Sequence, residues 1–196
     1  MPENLTRRSL LAAAAIPMIG SRVELTTPLG SLTLLLRPDR APLSATDFLR
    51  YIDAGAYNGG RFFRVVRPDN DHGHPRIDVV QGGARPGVKQ APPVPHETTA
   101  QTGLRHTDGA ISLTRDAPGT ASGAEFFVCV GDQPGLDFGG KRNPDGQGFA
   151  VFGRVETGMD VVLRIWKLDA SGPSPETYTA GQILRTPVPI SVARRL

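Results

Sequence analysis

The first patterned stretch, Val23-Glu24-Leu25-Thr26, alternates apolar and polar residues, turns at Thr27-Pro28-Leu29-Gly30 and alternates again through Ser31–Leu36. Two half-buried strands around a Pro/Gly turn read as a hairpin. The prolines of Arg37–Pro42 break it. Ala45, Phe48, Leu49 and Ile52 then recur at helical spacing with Gly55 behind them, which predicts an amphipathic helix. Ser44-Ala45-Thr46-Asp47 has the spacing of a capping box, with the Ser44 hydroxyl on an orphan amide and Asp47 reaching back. A second box, Thr157-Gly158-Met159-Asp160, predicts a second helix with Met159, Val162, Leu163 and Trp166 on its buried face.

Between and beyond these helices, Arg61–Val66, Ile77–Gln81, Ala110–Thr114, Glu125–Val130, Phe149–Val155 and Thr186–Val192 read as short strands. Three segments lack periodicity: polar Arg67–Arg76, the Pro/Gly loop Gly82–Gly103 and the Gly-rich loop Asp132–Gly148. Loops this long inside one domain are usually functional. Short strands, two helices and long loops predict a mainly β fold, a closed antiparallel barrel that hides its strand edges.

Composition narrows the picture. Gly 23 and Pro 18 make 41 of 196 residues, rich in turns, yet below the roughly 25–30% of low-complexity disorder. No repeat and no 18-residue apolar run occurs, against a solenoid or a membrane-spanning chain. The net charge of +3 is dispersed, with no basic run beyond Arg7-Arg8, Lys141-Arg142 and Arg194-Arg195, so no nucleic-acid face is expected. The single cysteine, Cys129, excludes an intrachain disulfide and reads as a buried structural thiol in the apolar run Phe126–Val130.

Residues 1–22 carry Arg7-Arg8 followed by a short apolar stretch, the grammar of an export signal. Thr6–Leu11 resembles a twin-arginine signal, which places the mature domain at residues 23–196 in the periplasm or otherwise outside. An uncleaved signal would leave the protein cytoplasmic.

Candidate chemistry is sparse. Gly135–Arg142 has phosphate-loop spacing, but Arg142 stands where a hydroxyl for Mg²⁺ is required. Asp69–His74 could chelate, yet Gly73 stands at a ligand position of a calcium loop, so a solvated polar loop is the better reading. No metal or cofactor is expected. More informative are Phe62–Val66, Val80-Gln81-Gly82-Gly83, Ser122–Val128 and Phe149–Val155, which contain no nucleophile–base set. They supply one arginine, one glutamine and alternating phenylalanines, of which Phe126 reads as barrel core.

In this order the four segments resemble the cyclophilins, peptidyl-prolyl cis-trans isomerases, over roughly Val23 to Trp166. The resemblance implies an eight-stranded antiparallel barrel capped by two α-helices, with a groove for proline-containing peptides and for unfolded or partly folded clients. It implies that Arg64 is catalytic, that Gln81 positions the peptide and that Phe127 floors the proline pocket. Leu136 would be its wall, Val79 the family's frequent methionine and Thr114 the backbone edge that pairs with substrate. Four positions depart from the family. Glu125 replaces a groove glutamine and could pair with Arg64 or dull its donor. Phe149 replaces a histidine, Gly135 a tryptophan and Asp78 a phenylalanine. Loss of the tryptophan implies weak cyclosporin binding. The departures keep open a second reading, a catalytically weak proline-peptide-binding module acting as holdase or scaffold. A monomer is expected, and the tail Ser171–Gln182 has no assigned family counterpart.

Overall fold

The computed structural model describes residues 21–174 and 176–196. Apart from its last two residues, the segment read as an export signal lies outside the described residues.

The predicted hairpin is β1 (Arg22–Thr27) and β2 (Gly30–Leu36), with every second residue buried. Its apolar positions Val23, Leu25, Leu32, Leu34 and Leu36 enter one core, as a period of two dictates. Then come α1 (Pro42–Asp53), β3 (Gly60–Val66), β4 (Val79–Gly83), β5 (Val94–Pro95) and α2 (Thr99–Thr102). The chain continues through β6 (Ala110–Thr114), β7 (Thr120–Cys129), β8 (Ala150–Thr157), α3 (Met159–Trp166), β9 (Ile183–Ile190) and β10 (Val192–Arg195).

The antiparallel sheet runs β10-β1-β2-β8-β6-β7-β4-β3-β9, with β5 paired to β7 off this path. Ten strands replace the predicted eight for a physical reason. β9 and β10 are two halves of one run broken at Ser191, whose amide donates to the Thr26 carbonyl (2.9 Å). One half pairs with β3 and the other with β1, so a single bent strand closes the ring. Setting aside β5 and joining β9 with β10 leaves eight staves.

Phe48 of α1 plugs the barrel, 5.0–5.6 Å from the rings of Tyr57, Phe126 and Phe152. Tilted and edge-on aromatic pairs add about 0.5–1.5 kcal/mol each beyond their burial. Phe126 is therefore core, as read, and Cys129 is buried with its thiol pKa pushed up by desolvation.

Neither capping box forms. α1 starts at Pro42, so Ser44 already lies inside its first turn. Glu97 caps this helix instead, accepting from the Leu43 and Ser44 amides and the Ser44 hydroxyl (3.1, 2.8 and 2.7 Å). A carboxylate there meets the orphan donors and the positive end of the dipole. Asp47 is buried and accepts from the Gly123 amide (2.6 Å), tying α1 to β7. In α3 the cap is Gly158 at φ +89°, and Thr157 still belongs to β8. That entry turns Val161, Val162 and Ile165 inward and leaves Leu163 exposed, a correction to the predicted face. The only capping box among the described residues belongs to α2, between Thr98 and Gln101, inside the segment predicted as loop.

Candidate active site

β3, β4 and β7 lie side by side, and their outward residues build one wall of a groove. Arg64 pairs with Gln81, and Gln81 with Phe127, in the sheet register. The three side chains therefore stand in a row across the strands. A register shift between Phe62 and Arg64 interrupts β3 on both of its sides, a bulge that turns the Arg64 side chain. A cavity of 310 Å³ opens here, lined by all eight positions singled out above: Arg64, Val79, Gln81, Thr114, Glu125, Phe127, Leu136 and Phe149.

Its floor is apolar. The Phe127 ring meets Phe149 edge-on at 5.4 Å, and its other neighbour is His106, stacked at 5.9 Å and 12°. Leu136 is fully buried and Phe127 nearly so. Burial pulls the His106 pKa down against the pull of Asp137. The neutral ring donates from Nδ1 to Asp137 Oδ1 (2.8 Å) and accepts at Nε2 from the Ser112 hydroxyl (3.1 Å). The histidine is thus a fixed plate behind the aromatic floor.

The polar side is a relay of amides. Arg64 Nη1 donates to Gln81 Oε1 (3.1 Å), and Gln81 Nε2 donates to Glu125 Oε2 (2.8 Å). Glu125 therefore does not meet Arg64 directly, and the choice posed above, between pairing and dulling, resolves into separation by a glutamine. Burial pushes the Glu125 carboxyl pKa up, opposed by the bond from Gln81. Burial also lowers the Arg64 pKa from its ordinary value, but a guanidinium remains charged at any working pH.

The far wall includes Arg142, Asn143 and Tyr178, and residues of three segments that carried no assigned role hold its arginines. Asp71 accepts two bonds from Arg142 (both 2.7 Å) in an ion pair with both side chains buried. The solvated reading of Asp69–His74 is corrected at Asp71, although His72 and His74 are exposed. Arg142 Nη2 also donates to the Tyr178 hydroxyl (2.7 Å), and its guanidinium carbon lies 5.9 Å from that ring. The Arg64 guanidinium sits equally far from the same ring. From the tail, buried Gln182 accepts from Arg64 Nε (2.9 Å) and Nη2 (2.6 Å). Sequence reasoning missed Gln182, Tyr178, Asp71 and Arg142, which lie in aperiodic segments far apart in the chain.

Two departures have local explanations. A Cβ on Gly135 would lie 2.5 Å from Pro75 Cγ, so Pro75 fills the place of the side chain missing at 135. Asp78 accepts from the Trp166 indole N–H and does not line the cavity.

The family model described as cyclophilin type peptidyl-prolyl cis-trans isomerase/CLD matches residues 22–188. The chain belongs to the cyclophilin family. It is 35% identical over 158 residues to peptidyl-prolyl cis-trans isomerase A of Dickeya dadantii, covering 79% of this chain and 76% of that one. It is 34% identical over 137 residues to peptidyl-prolyl cis-trans isomerase B of Escherichia coli, covering 69% of this chain and 78% of the relative. Among solved structures, a Cryptosporidium parvum cyclophilin type peptidyl-prolyl cis-trans isomerase superposes with a TM-score of 0.66. At 16% identity, across 90% of this chain and 98% of that one, this cyclophilin attests the shared fold. A second structure of the C. parvum cyclophilin was determined in the presence of the dipeptide Ala-Pro.

Proposed function

We infer that this cyclophilin is a peptidyl-prolyl cis-trans isomerase, accelerating rotation about X–Pro bonds in peptides and in unfolded or partly folded proteins. The barrier to that rotation is about 18–20 kcal/mol, because amide resonance must be broken. No bond is made or cleaved, so the protein need only bind the twisted amide better than either planar form. Twisting returns a lone pair to the prolyl nitrogen, and a fixed donor can meet it there.

One observation carries the reading: a guanidinium with spare donors over an apolar floor in one cavity. Arg64 has five N–H groups and spends three on Gln81 and Gln182, which leaves two. We assign them to the twisted amide, with the proline ring on Phe127 between Leu136, Val79 and Phe149. Thr114, the last residue of β6, faces the same cavity and is assigned to the peptide backbone. Gln81, fixed between Arg64 and Glu125, has one N–H left for a substrate carbonyl. A preorganised donor of this kind is worth about 2.7–4 kcal/mol.

The test is exchange NMR of a short Ala-Pro peptide with the protein and with Arg64→Ala. Accelerated exchange that the variant loses supports the assignment. A peptide that binds without accelerated exchange would instead make this cyclophilin a binding module, holdase or scaffold.

Export is a second part of the proposal, supported by Arg7-Arg8 ahead of an apolar stretch. Mass spectrometry of the protein recovered from its cells should find an N-terminus near Ser21, and an intact leader on cytoplasmic protein would overturn it. We propose a monomer as the working form, which sedimentation tests.

A further inference from the structure

We propose that Gln182 is a positioning residue for the isomerase reaction, holding the Arg64 guanidinium without neutralising it. The inference rests on the isomerase reading above and adds to it a residue from the tail.

Gln182 is itself rigidly placed. Its carbonyl accepts from the Val65 amide (2.9 Å) and its amide donates to the Thr179 carbonyl (3.1 Å), which seats it beside β3 next to Arg64. Its side chain is fully buried and joins β3 to the turn that follows it. Nε2 donates to the Asn70 carbonyl (2.9 Å), and Oε1 takes Arg64 Nε and Nη2 together. The orientation of this amide is chemically forced, because a guanidinium has only donors and the Asn70 oxygen only accepts. Two of the three bonds on Arg64 come from Gln182, and the third, from Gln81, is the longest.

The choice of an amide matters. A carboxylate at 182 would accept the same two bonds, but it would also place a counter-charge on the guanidinium. A neutral amide fixes direction and leaves the field pointing into the groove. Glu125 is held one glutamine away, so neutral oxygens accept all three of the Arg64 side-chain bonds. Misplacing a catalytic group by about 1 Å can cost on the order of 100-fold in rate, so the anchor has an effect large enough to read.

The test compares Gln182→Met, which keeps shape and loses every side-chain hydrogen bond, with Gln182→Glu, which keeps an acceptor for Arg64 but loses the donor to Asn70. A purely structural role, acting through Asn70, would make the two variants alike. The readout independent of turnover is the Arg64 Nε–H signal in a ¹⁵N spectrum, assigned with Arg64→Ala. We expect slow hydrogen exchange at this site in the wild type and in Gln182→Glu, and fast exchange in Gln182→Met. We expect kcat to fall about 10- to 100-fold in Gln182→Met, with KM within about twofold, as for an interaction that matters in the transition state. Retained protection in Gln182→Met, equal loss of protection in both variants, or a raised KM with kcat unchanged in Gln182→Met would overturn the proposal. A wild type with a protected Arg64 and no turnover would overturn the isomerase reading instead, leaving the anchoring geometry intact.

Discussion

Pro75 occupies the space that a side chain on Gly135 would need, its ring carbon 2.5 Å from the position of a Cβ. The ring cannot swing aside like the end of a long chain, and its own carbonyl is held by Arg142 (2.9 Å). Gly135→Ala should therefore destabilise the protein by about 1–3 kcal/mol, the range for overpacking. Combining it with Pro75→Gly should recover most of that loss, which thermal melts of the two variants would show. With a proline ring here and no indole, cyclosporin should bind weakly, and a titration giving nanomolar affinity would refute this.

Arg64→Lys should be nearly as damaging as Arg64→Ala. A lysine carries the charge but not the planar fork that Gln81 and Gln182 grip at three points. We expect a loss of about 100-fold or more in turnover, from the worth of one preorganised donor, with peptide affinity largely kept. Exchange rates and a binding isotherm on the same sample would check it.

The buried Asp71–Arg142 pair should make the groove wall acid-sensitive. Burial raises the Asp71 carboxyl pKa, but the bonds from Arg142 and from the Gly73 and Ile77 amides outweigh it and hold the pKa below its ordinary value. Such a group stabilises the fold fully above its unfolded pKa of about 3.9 and loses that contribution as pH falls through the lower folded value. Asp71→Asn should cost about 3–5 kcal/mol at neutral pH, the cost of orphaning a buried charge. The gap from wild type should close in acid, as denaturation across pH would report.

Glu125 should behave in the opposite sense. Its folded pKa is raised, chiefly by burial, so the fold holds its proton more tightly than the unfolded chain does. The penalty for the buried charge is absent below the unfolded pKa and complete above the folded one. Glu125→Gln should therefore be more stable than wild type at pH 7, with the difference vanishing below about pH 4. The glutamine can still accept from Gln81, so turnover should change by less than about threefold, the scale of losing one weak polar contact. A large loss of activity would show that the charge itself is used.

What the sequence disclosed was local. Phe62–Val66, Gln81-Gly82-Gly83 and Phe126-Phe127 each read within a few residues, because strand alternation fixes which side chains share a face. Adjacent strands then brought Arg64, Gln81 and Phe127 into one row. Gln182 was hidden because its partner lies 118 residues away and its own segment has no period. Arg142 was hidden likewise, with Asp71 at a separation of 71 residues. The box at Ser44 failed for a related reason: its hydroxyl had a better acceptor in Glu97, 53 residues on, which no local rule can see. The genuine box at Thr98 and Gln101 was local, and its Thr-x-x-Gln spacing could have been read inside the loop.

The bent strand that closes the ring has a consequence for how the chain is made. β1 pairs with β10, Val23 against Arg195 and Leu25 against Ala193. A ribosome therefore delivers β1 well before its partner, with 170 residues separating Glu24 from Arg194 across the pair. Until Arg195 emerges, β1 presents an open edge, the kind of surface that recruits other nascent chains. Ring closure thus waits on the β10 segment, and β1 keeps one edge unpaired while the staves between them are made.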